Sequence, residues 1–229
     1  MKTRILHTAT FVGDAVAIIE ESAVDAIAER GMFRLGLCGG NTPRPVYAQL
    51  AKHDGLPWEK MQITFGDERC VPPDDDQSNY KMAKGTLLDP VHFPGGNVFR
   101  IRGEIDAEAA AREYEQKLAH VAARFGEARY THDLLLLGLG EDGHTASLFP
   151  GSPALNEMVR NVVPAIGPKP PPQRITFTLP LINAARHICF LVNDPAKTAM
   201  INDVVKGNPA LPAAHVKPSS GHLTWLLGS

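Results

Sequence analysis

Between positions 138 and 147 the chain reads Gly138-Leu139-Gly140-Glu141-Asp142-Gly143-His144-Thr145-Ala146-Ser147. An imidazole and a carboxylate two residues apart across a glycine suit a general base and the acid that orients it. Histidine is the side chain that accepts and returns a proton near neutral pH. A lone histidine is more often structural than catalytic, but this one follows an apolar run, where a buried strand would end. The stretch also matches G-x-G-x-x-G, the dinucleotide fingerprint. Context argues against that match: Pro150-Gly151 leaves little room for the long helix required, and no acidic strand end lies about twenty residues further on. Neither Ser147 nor Cys38 has the G-x-S-x-G setting of a covalent nucleophile.

Two further stretches carry chemistry. In Cys38-Gly39-Gly40-Asn41-Thr42-Pro43 the glycines permit close backbone approach, and the helix that follows offers unpaired N–H groups to an anion. Phosphate binding and a plain strand-to-helix turn are both compatible with these residues. In Gly66-Asp67-Glu68-Arg69-Cys70-Val71-Pro72 three consecutive charges stand at a strand end. Such a run is usually a solvated turn, but its expected position beside the first loop raises the functional reading. The acidic run Asp74-Asp75-Asp76 lacks EF-hand spacing and reads as a solvated loop. Arg174 and Lys197 stand at a strand start and a helix start, positions where a lone cation is usually a surface charge.

The elements that must hold these loops alternate along the chain. Residues 14–30 read as a helix stopped by Gly31, and 33–38 as a short buried strand. Thr42 is expected to cap a helix over 43–52 with Pro43 at its first position. A strand at 62–65 runs into the charged loop. A helix over 107–125 is capped by Asp106 and stopped by Gly126, with Tyr114, Leu118, Val121 and Phe125 on one face. Residues 133–138 are apolar without alternation, as in a strand covered on both faces. Strands follow at 174–179 and 187–192, then a helix near 195–205 and a last strand near 223–227. The Pro-rich stretch 168–172 reads as a rigid loop, Cys38 and Cys189 as small core residues, and Trp58 and Trp225 as packing residues. This order predicts an α/β fold, a Rossmann-like, mostly parallel sheet with helices on both faces, in a single domain over 1–229.

Composition narrows the class. The chain has 229 residues, 44% hydrophobic and 21% charged, and a formal net charge of -2. That size supports a core without staples. The charge argues against a bulk grip on nucleic acid or an anionic membrane. Three scattered cysteines, with no C-x-x-C or H-E-x-x-H, predict neither a disulfide framework nor a structural metal. The first twenty residues lack the uninterrupted apolar core of a signal peptide, and the apolar runs are too short to cross a bilayer, so a cytoplasmic location is expected.

At its three loops the chain resembles the 6-phosphogluconolactonases of the pentose phosphate pathway. The resemblance rests on Gly39-Gly40-Asn41-Thr42-Pro43, on Gly66 to Pro72 with Ser78-Asn79-Tyr80 downstream, and on Gly138 continuing to Gly151. Arg174-Ile175-Thr176, Leu179-Pro180-Leu181-Ile182-Asn183-Ala184-Ala185 and Leu211-Pro212-Ala213 also fit, in order from about residue 33 to the C-terminus. Three places depart from the pattern. Cys38 stands where serine is usual, Asn193-Asp194 replace a glycine region, and the tail Leu226-Leu227-Gly228-Ser229 lacks the usual acidic residue.

The resemblance implies a fold shared with glucosamine-6-phosphate deaminases and ribose-5-phosphate isomerases. It also implies hydrolysis of 6-phospho-D-glucono-1,5-lactone, with no metal or organic cofactor. His144 would activate water, Asp142 would orient it or the ring, and Arg69, fixed by Asp67 or another carboxylate, would meet the charge developing on the carbonyl oxygen. Gly39, Gly40, Asn41, Thr42, Arg174 and Lys197 would hold the phosphate, and Asp67 would also belong to the substrate-binding set. The partner is then a small phosphorylated sugar lactone, with no nucleic acid or membrane, and the chain a monomer or weak homo-oligomer. Two alternatives are a glucosamine-6-phosphate deaminase, and a phosphosugar-sensing regulator on the same fold. The deaminase would need Glu-Tyr after the aspartate and Phe-Asn-Glu after the histidine loop, and neither is present. The regulator would carry a helix-turn-helix, whereas one helix is expected to fill the 32 residues before the first strand.

Overall fold

The computed structural model describes residues 2–53 and 55–228; Ser229, the last residue of the unusual tail, lies outside them. In chain order the elements are β1 (Lys2–Thr8), α1 (Phe11–Arg30), β2 (Phe33–Leu37), α2 (Pro43–Leu50), β3 (Met61–Phe65) and β4 (Asp67–Arg69). Next come α3 (Asn79–Ala83), α4 (Ala107–Arg124), β5 (Leu134–Leu137), β6 (Val162–Ile166) and β7 (Gln173–Phe177). The chain closes with α5 (Leu179–Ile182), β8 (His187–Val192), α6 (Thr198–Val205) and β9 (His222–Gly228).

Six strands form one parallel sheet in the order β1-β9-β8-β5-β2-β3. Every residue of β2, β3 and β5 is buried; β5 runs apolar without alternation, as a strand covered on both faces does, whereas β2 and β3 bury the polar residues Arg34, Gln62 and Thr64 as well. From β2 the chain moves outward to β3, and from β5 it moves the other way through β8 to β9. The sheet therefore has its switch point between β2 and β5. There the loops leaving the carboxyl ends of the two strands diverge and open a crevice, the usual ligand position in such sheets. A second, antiparallel sheet of β4, β7 and β6 stands beside it, joined to the end of β3 by the Phe177 N–H to Gly66 carbonyl bond at 2.8 Å. Helix α4 packs on β6 and β7, and its Tyr114 hydroxyl accepts the Phe65 N–H at 3.0 Å and donates to the Phe99 carbonyl.

Several expectations need correcting. The region before β2 holds a strand as well as a helix: β1 is an edge strand, largely exposed and rich in basic residues, and it shows no buried alternation. Helix α1 begins at Phe11 and stops at Gly31 as expected, with φ +73° there. Thr42 does not cap α2 through its side chain, because its backbone is already helical at φ -60°, ψ -46°. Asp106 does cap α4, accepting the Ala109 N–H at 2.9 Å. Phe125 falls past the helix end at φ -102° and is half exposed, so it does not join the buried face of Tyr114, Leu118 and Val121. The strand near 174–179 belongs to the second sheet, ending at Phe177 before α5. Cys189 and Trp225 are buried, the indole stacked on Phe190 with centroids 4.0 Å apart.

Candidate active site

The crevice at the switch point is a cavity of about 270 Å³ walled by all three loops and by the second sheet. Of the ten residues singled out from the sequence, nine line it. Gly39, Gly40, Asn41 and Thr42 come from the β2 loop, Asp67 and Arg69 from β4. His144 comes from the β5 loop, Arg174 from β7, and Lys197 from the segment after β8. The tenth, Asp142, stands behind His144 as its hydrogen-bond partner.

The β5 loop is folded tightly enough to fix the imidazole. Gly143 takes φ +77°, a conformation that favours glycine. Across this turn the Asp142 carboxylate meets both the His144 N–H at 3.1 Å and Nδ1 at 2.5 Å. The Gly140 N–H donates to the His144 carbonyl at 2.8 Å, and Thr145 Oγ1 donates to the Gly138 carbonyl at 2.9 Å. Phe149 packs on the ring with centroids 4.6 Å apart. Burial pushes the Asp142 carboxyl up, but the His144 ring and backbone N–H outweigh it and hold the group below the usual carboxylate range. With Asp142 ionised, Nδ1 carries the proton and Nε2 presents its lone pair, with no protein partner for it among the described residues.

Strand β4 alternates as a strand must, placing Asp67 and Arg69 on the cavity side and turning Glu68 into the protein, 2% exposed. Asp67 is gripped by neutral donors, Ser147 Oγ at 2.6 Å and Asn79 Nδ2 at 3.1 Å. Arg69 is not fixed by Asp67 or by any other carboxylate among the described residues; its guanidinium donates to the Gln77 carbonyl. This corrects the expected Arg–carboxylate pair. Neither Asn79 nor Ser147 was assigned a place in the site from the sequence. Asn79 stands in the Ser78-Asn79-Tyr80 match, while Ser147 lacks the setting of a nucleophile and carries no other signal in the sequence.

Arg174 supplies the strongest electrostatic feature. The β4–β7 register sets Arg174 directly opposite Arg69, a like-charge pairing that costs stability in a sheet. Arg174 is buried; its Nη2 donates to the Lys169 carbonyl at 3.3 Å, while Nε and Nη1 have no hydrogen-bond partner among the described residues. Burial and then the Arg69 charge push its pKa down, though a guanidinium stays charged in water. Lys197 reaches in and donates from Nζ to the Leu139 carbonyl at 2.6 Å. Two opposed guanidiniums, one with buried unpaired N–H groups, suit an anion with several acceptor oxygens. Cys38 offers no rival nucleophile, because burial pushes its thiol up to about 12. Among the described residues there is no group of three or more His, Cys, Asp or Glu placed to hold a metal ion.

A Rossmann-like sheet with a switch-point crevice, an oriented histidine and two opposed guanidiniums suits an enzyme that acts on a small anionic substrate. The family described as glucosamine-6-phosphate isomerases/6-phosphogluconolactonase matches residues 7–225, and the chain belongs to it. It is 39% identical over 231 residues to a 6-phosphogluconolactonase of Synechocystis sp., covering 97% of this chain and 93% of that protein. It is 38% identical to the human 6-phosphogluconolactonase, covering 94% and 86%. The crystal structure of 6-phosphogluconolactonase from Thermotoga maritima superposes with a TM-score of 0.89 at 28% identity, covering all of both chains.

Proposed function

We propose that this chain hydrolyses 6-phospho-D-glucono-1,5-lactone to 6-phospho-D-gluconate. One observation carries the reading: an imidazole held by a carboxylate, its Nε2 free, stands in the same cavity as two opposed arginines without carboxylate partners. His144 Nε2 takes a proton from water as the oxygen attacks the lactone carbonyl carbon. Negative charge gathers on the carbonyl oxygen, where the Arg69 guanidinium meets it. Collapse of the tetrahedral intermediate breaks the bond to the ring oxygen, and the imidazolium returns its proton to that oxygen. Asp142 stabilises the imidazolium between the two transfers. The phosphate lies against the 39–42 turn, Arg174 and Lys197, whose charges pair with its oxygens.

No step calls for a metal or organic cofactor, so exhaustive chelation leaves the rate unchanged in this reading. Residues 1–229 act as one domain, a monomer or weak homo-oligomer in the cytoplasm, and the partner is the small lactone rather than nucleic acid or membrane. In support, no helix among the described residues is long and apolar enough to cross a membrane. The test compares lactone hydrolysis, corrected for spontaneous opening, with ammonia release from glucosamine 6-phosphate. It then repeats the first assay on His144→Ala. Lactone turnover without ammonia release, and a kcat about 10²–10⁴-fold lower in the variant, are expected. A loss below about tenfold refutes the general-base assignment.

A further inference from the structure

Glu68 touches neither the cavity nor any cation, yet its carboxylate is the most heavily bonded one near the site. It is 2% exposed. Oε1 accepts the N–H groups of Arg69 and Asn79, each at 2.8 Å, and Oε2 accepts the Tyr80 N–H at 2.8 Å and the Ser78 hydroxyl at 3.0 Å. Burial holds its carboxyl above the usual carboxylate range, a rise that the three backbone N–H groups offset only in part. All four partners are donors, so the geometry calls for a group that accepts at both oxygens.

What Glu68 clasps is the turn that serves the cavity. Gln77, next to Ser78, gives its carbonyl to the Arg69 guanidinium. The Asn79 side chain donates to the Asp67 carbonyl at 2.9 Å and its carboxylate at 3.1 Å. The same side chain lies against the phosphate-side turn: a Cβ on Gly39 would fall 2.0 Å from Asn79 Oδ1. One buried carboxylate therefore sets three cavity-facing groups through one short segment.

We infer that Glu68 is a positioning residue for lactone hydrolysis, locking the 77–80 turn to β4 so that Arg69 and Asp67 face the substrate in a fixed geometry. The inference rests on the function proposed above. Glu68→Gln keeps the shape but points an amide N–H₂ at groups that are themselves donors, so the turn must shift. A misplacement of this order lowers kcat by about 10²-fold.

The experiment measures kcat, KM and Tm for Glu68→Gln, Ser78→Ala, Arg69→Lys and the Glu68→Gln/Arg69→Lys double variant. Glu115→Gln serves as control, since Glu115 accepts only the Asn161 N–H among backbone groups and lies outside the cavity. Action through Arg69 predicts a double-variant loss well below the product of the single losses, which a merely structural role would leave multiplicative. Ser78→Ala, which removes one of the four bonds, is expected to fold and to lose roughly tenfold in kcat. If Glu68→Gln does not fold, Ser78→Ala decides, and wild-type kcat there overturns the inference. Folded Glu68→Gln with kcat within about threefold of wild type, or multiplicative losses, also overturns it. A wild-type protein inactive on the lactone overturns the proposed function and this inference with it, whereas an active wild type with an unaffected variant overturns this inference alone.

Discussion

Replacing Gly140 by alanine isolates the orientation of His144 from its chemistry. Gly140 does not take a left-handed φ, so the backbone accepts alanine without strain. The cost is purely steric: a Cβ there would fall 2.1 Å from both Cε1 and Nδ1 of His144 and 2.8 Å from Cγ. Comfortable heavy-atom contact begins near ~3.5 Å, so the ring must retreat by about 1.4 Å. Phe149, packed on the ring at 4.6 Å between centroids, restricts where it can go. A shift of that size exceeds the slack of the 2.5 Å Asp142 bond, since such bonds fail beyond about 3.2 Å. Misplacing a catalytic group by about 1 Å costs roughly 10²-fold, and full loss of a general base sets the ceiling near 10⁴.

Gly140→Ala is therefore expected to lower kcat by about 10²-fold. KM for the lactone should stay close to wild type, because the phosphate-side residues lie on other loops. The assay follows 6-phosphogluconate release by a coupled NADP-dependent dehydrogenase, with the spontaneous rate subtracted and folding checked by thermal melt. Gly85→Ala is the matched control, since nothing lies within 4 Å of its added carbon. A Gly140→Ala enzyme within about threefold of wild type refutes the claim that this imidazole geometry matters.

Two further outcomes follow from the charges the fold buries. Arg174→Met removes two unpartnered buried donors and the repulsion from Arg69, each lost donor penalty being about 1–3 kcal/mol. Tm is expected to rise by several degrees while KM for the phosphorylated lactone rises at least about tenfold and that for plain gluconolactone does not; a fall in Tm, or equal KM changes, refutes the assignment. Acid should destabilise the protein through His132 and His187, both held down to about 3, by burial alone foremost in each case, then by Arg34 for His132 and by His222 and Arg4 for His187. Each is neutral in the folded chain between pH 6.5 and 3 but protonated when unfolded, so the unfolded state binds more protons there and stability falls as pH falls. The stabilisation is complete above pH 6.5, and the loss is at most about 2 kcal/mol per histidine by pH 5. Urea unfolding at pH 7 and pH 5 measures it, and His132→Phe should flatten the slope.

The loops that form the cavity were legible because their chemistry is local. Glycines beside a strand end, a charge triplet, and an Asp-Gly-His can each be read within a few residues. The strands that escaped notice lack a local signature. β1 is a charged edge with no buried alternation, β6 carries Pro164 in its middle, and β4 is three charged residues whose strand character comes only from pairing with β7. The partners of the site escaped for the same reason. Ser147 and Asp67 meet across 80 positions of sequence, and Arg69 is held by a backbone carbonyl, which no side-chain pattern announces. The expected Arg–carboxylate pair was the default for a charged loop, and the antiparallel register of the second sheet displaced it.

That register also explains why the fold needs a second sheet. The parallel sheet delivers its loops from one direction, as backbone turns, one histidine and the single ammonium of Lys197. β4 and β7 approach from the side and run antiparallel, which sets Arg69 and Arg174 opposite each other on the cavity face. Such a pair opposes folding, and burial of Arg174 with unpaired donors adds to the cost. The apolar core around β2, β3 and β5 offsets it, so the folded protein keeps two opposed cations with unpaired donors, which suits the anion binding proposed above. In the reaction proposed above, a carbonyl oxygen that gains charge and a phosphate that carries it would both relieve the same two cations. The histidine loop stands apart, tied to the sheet by Thr176, whose hydroxyl accepts the Ser147 N–H at 3.1 Å. Through that bond and the Ser147–Asp67 bond, the base and the cations keep a common frame although they come from different sheets.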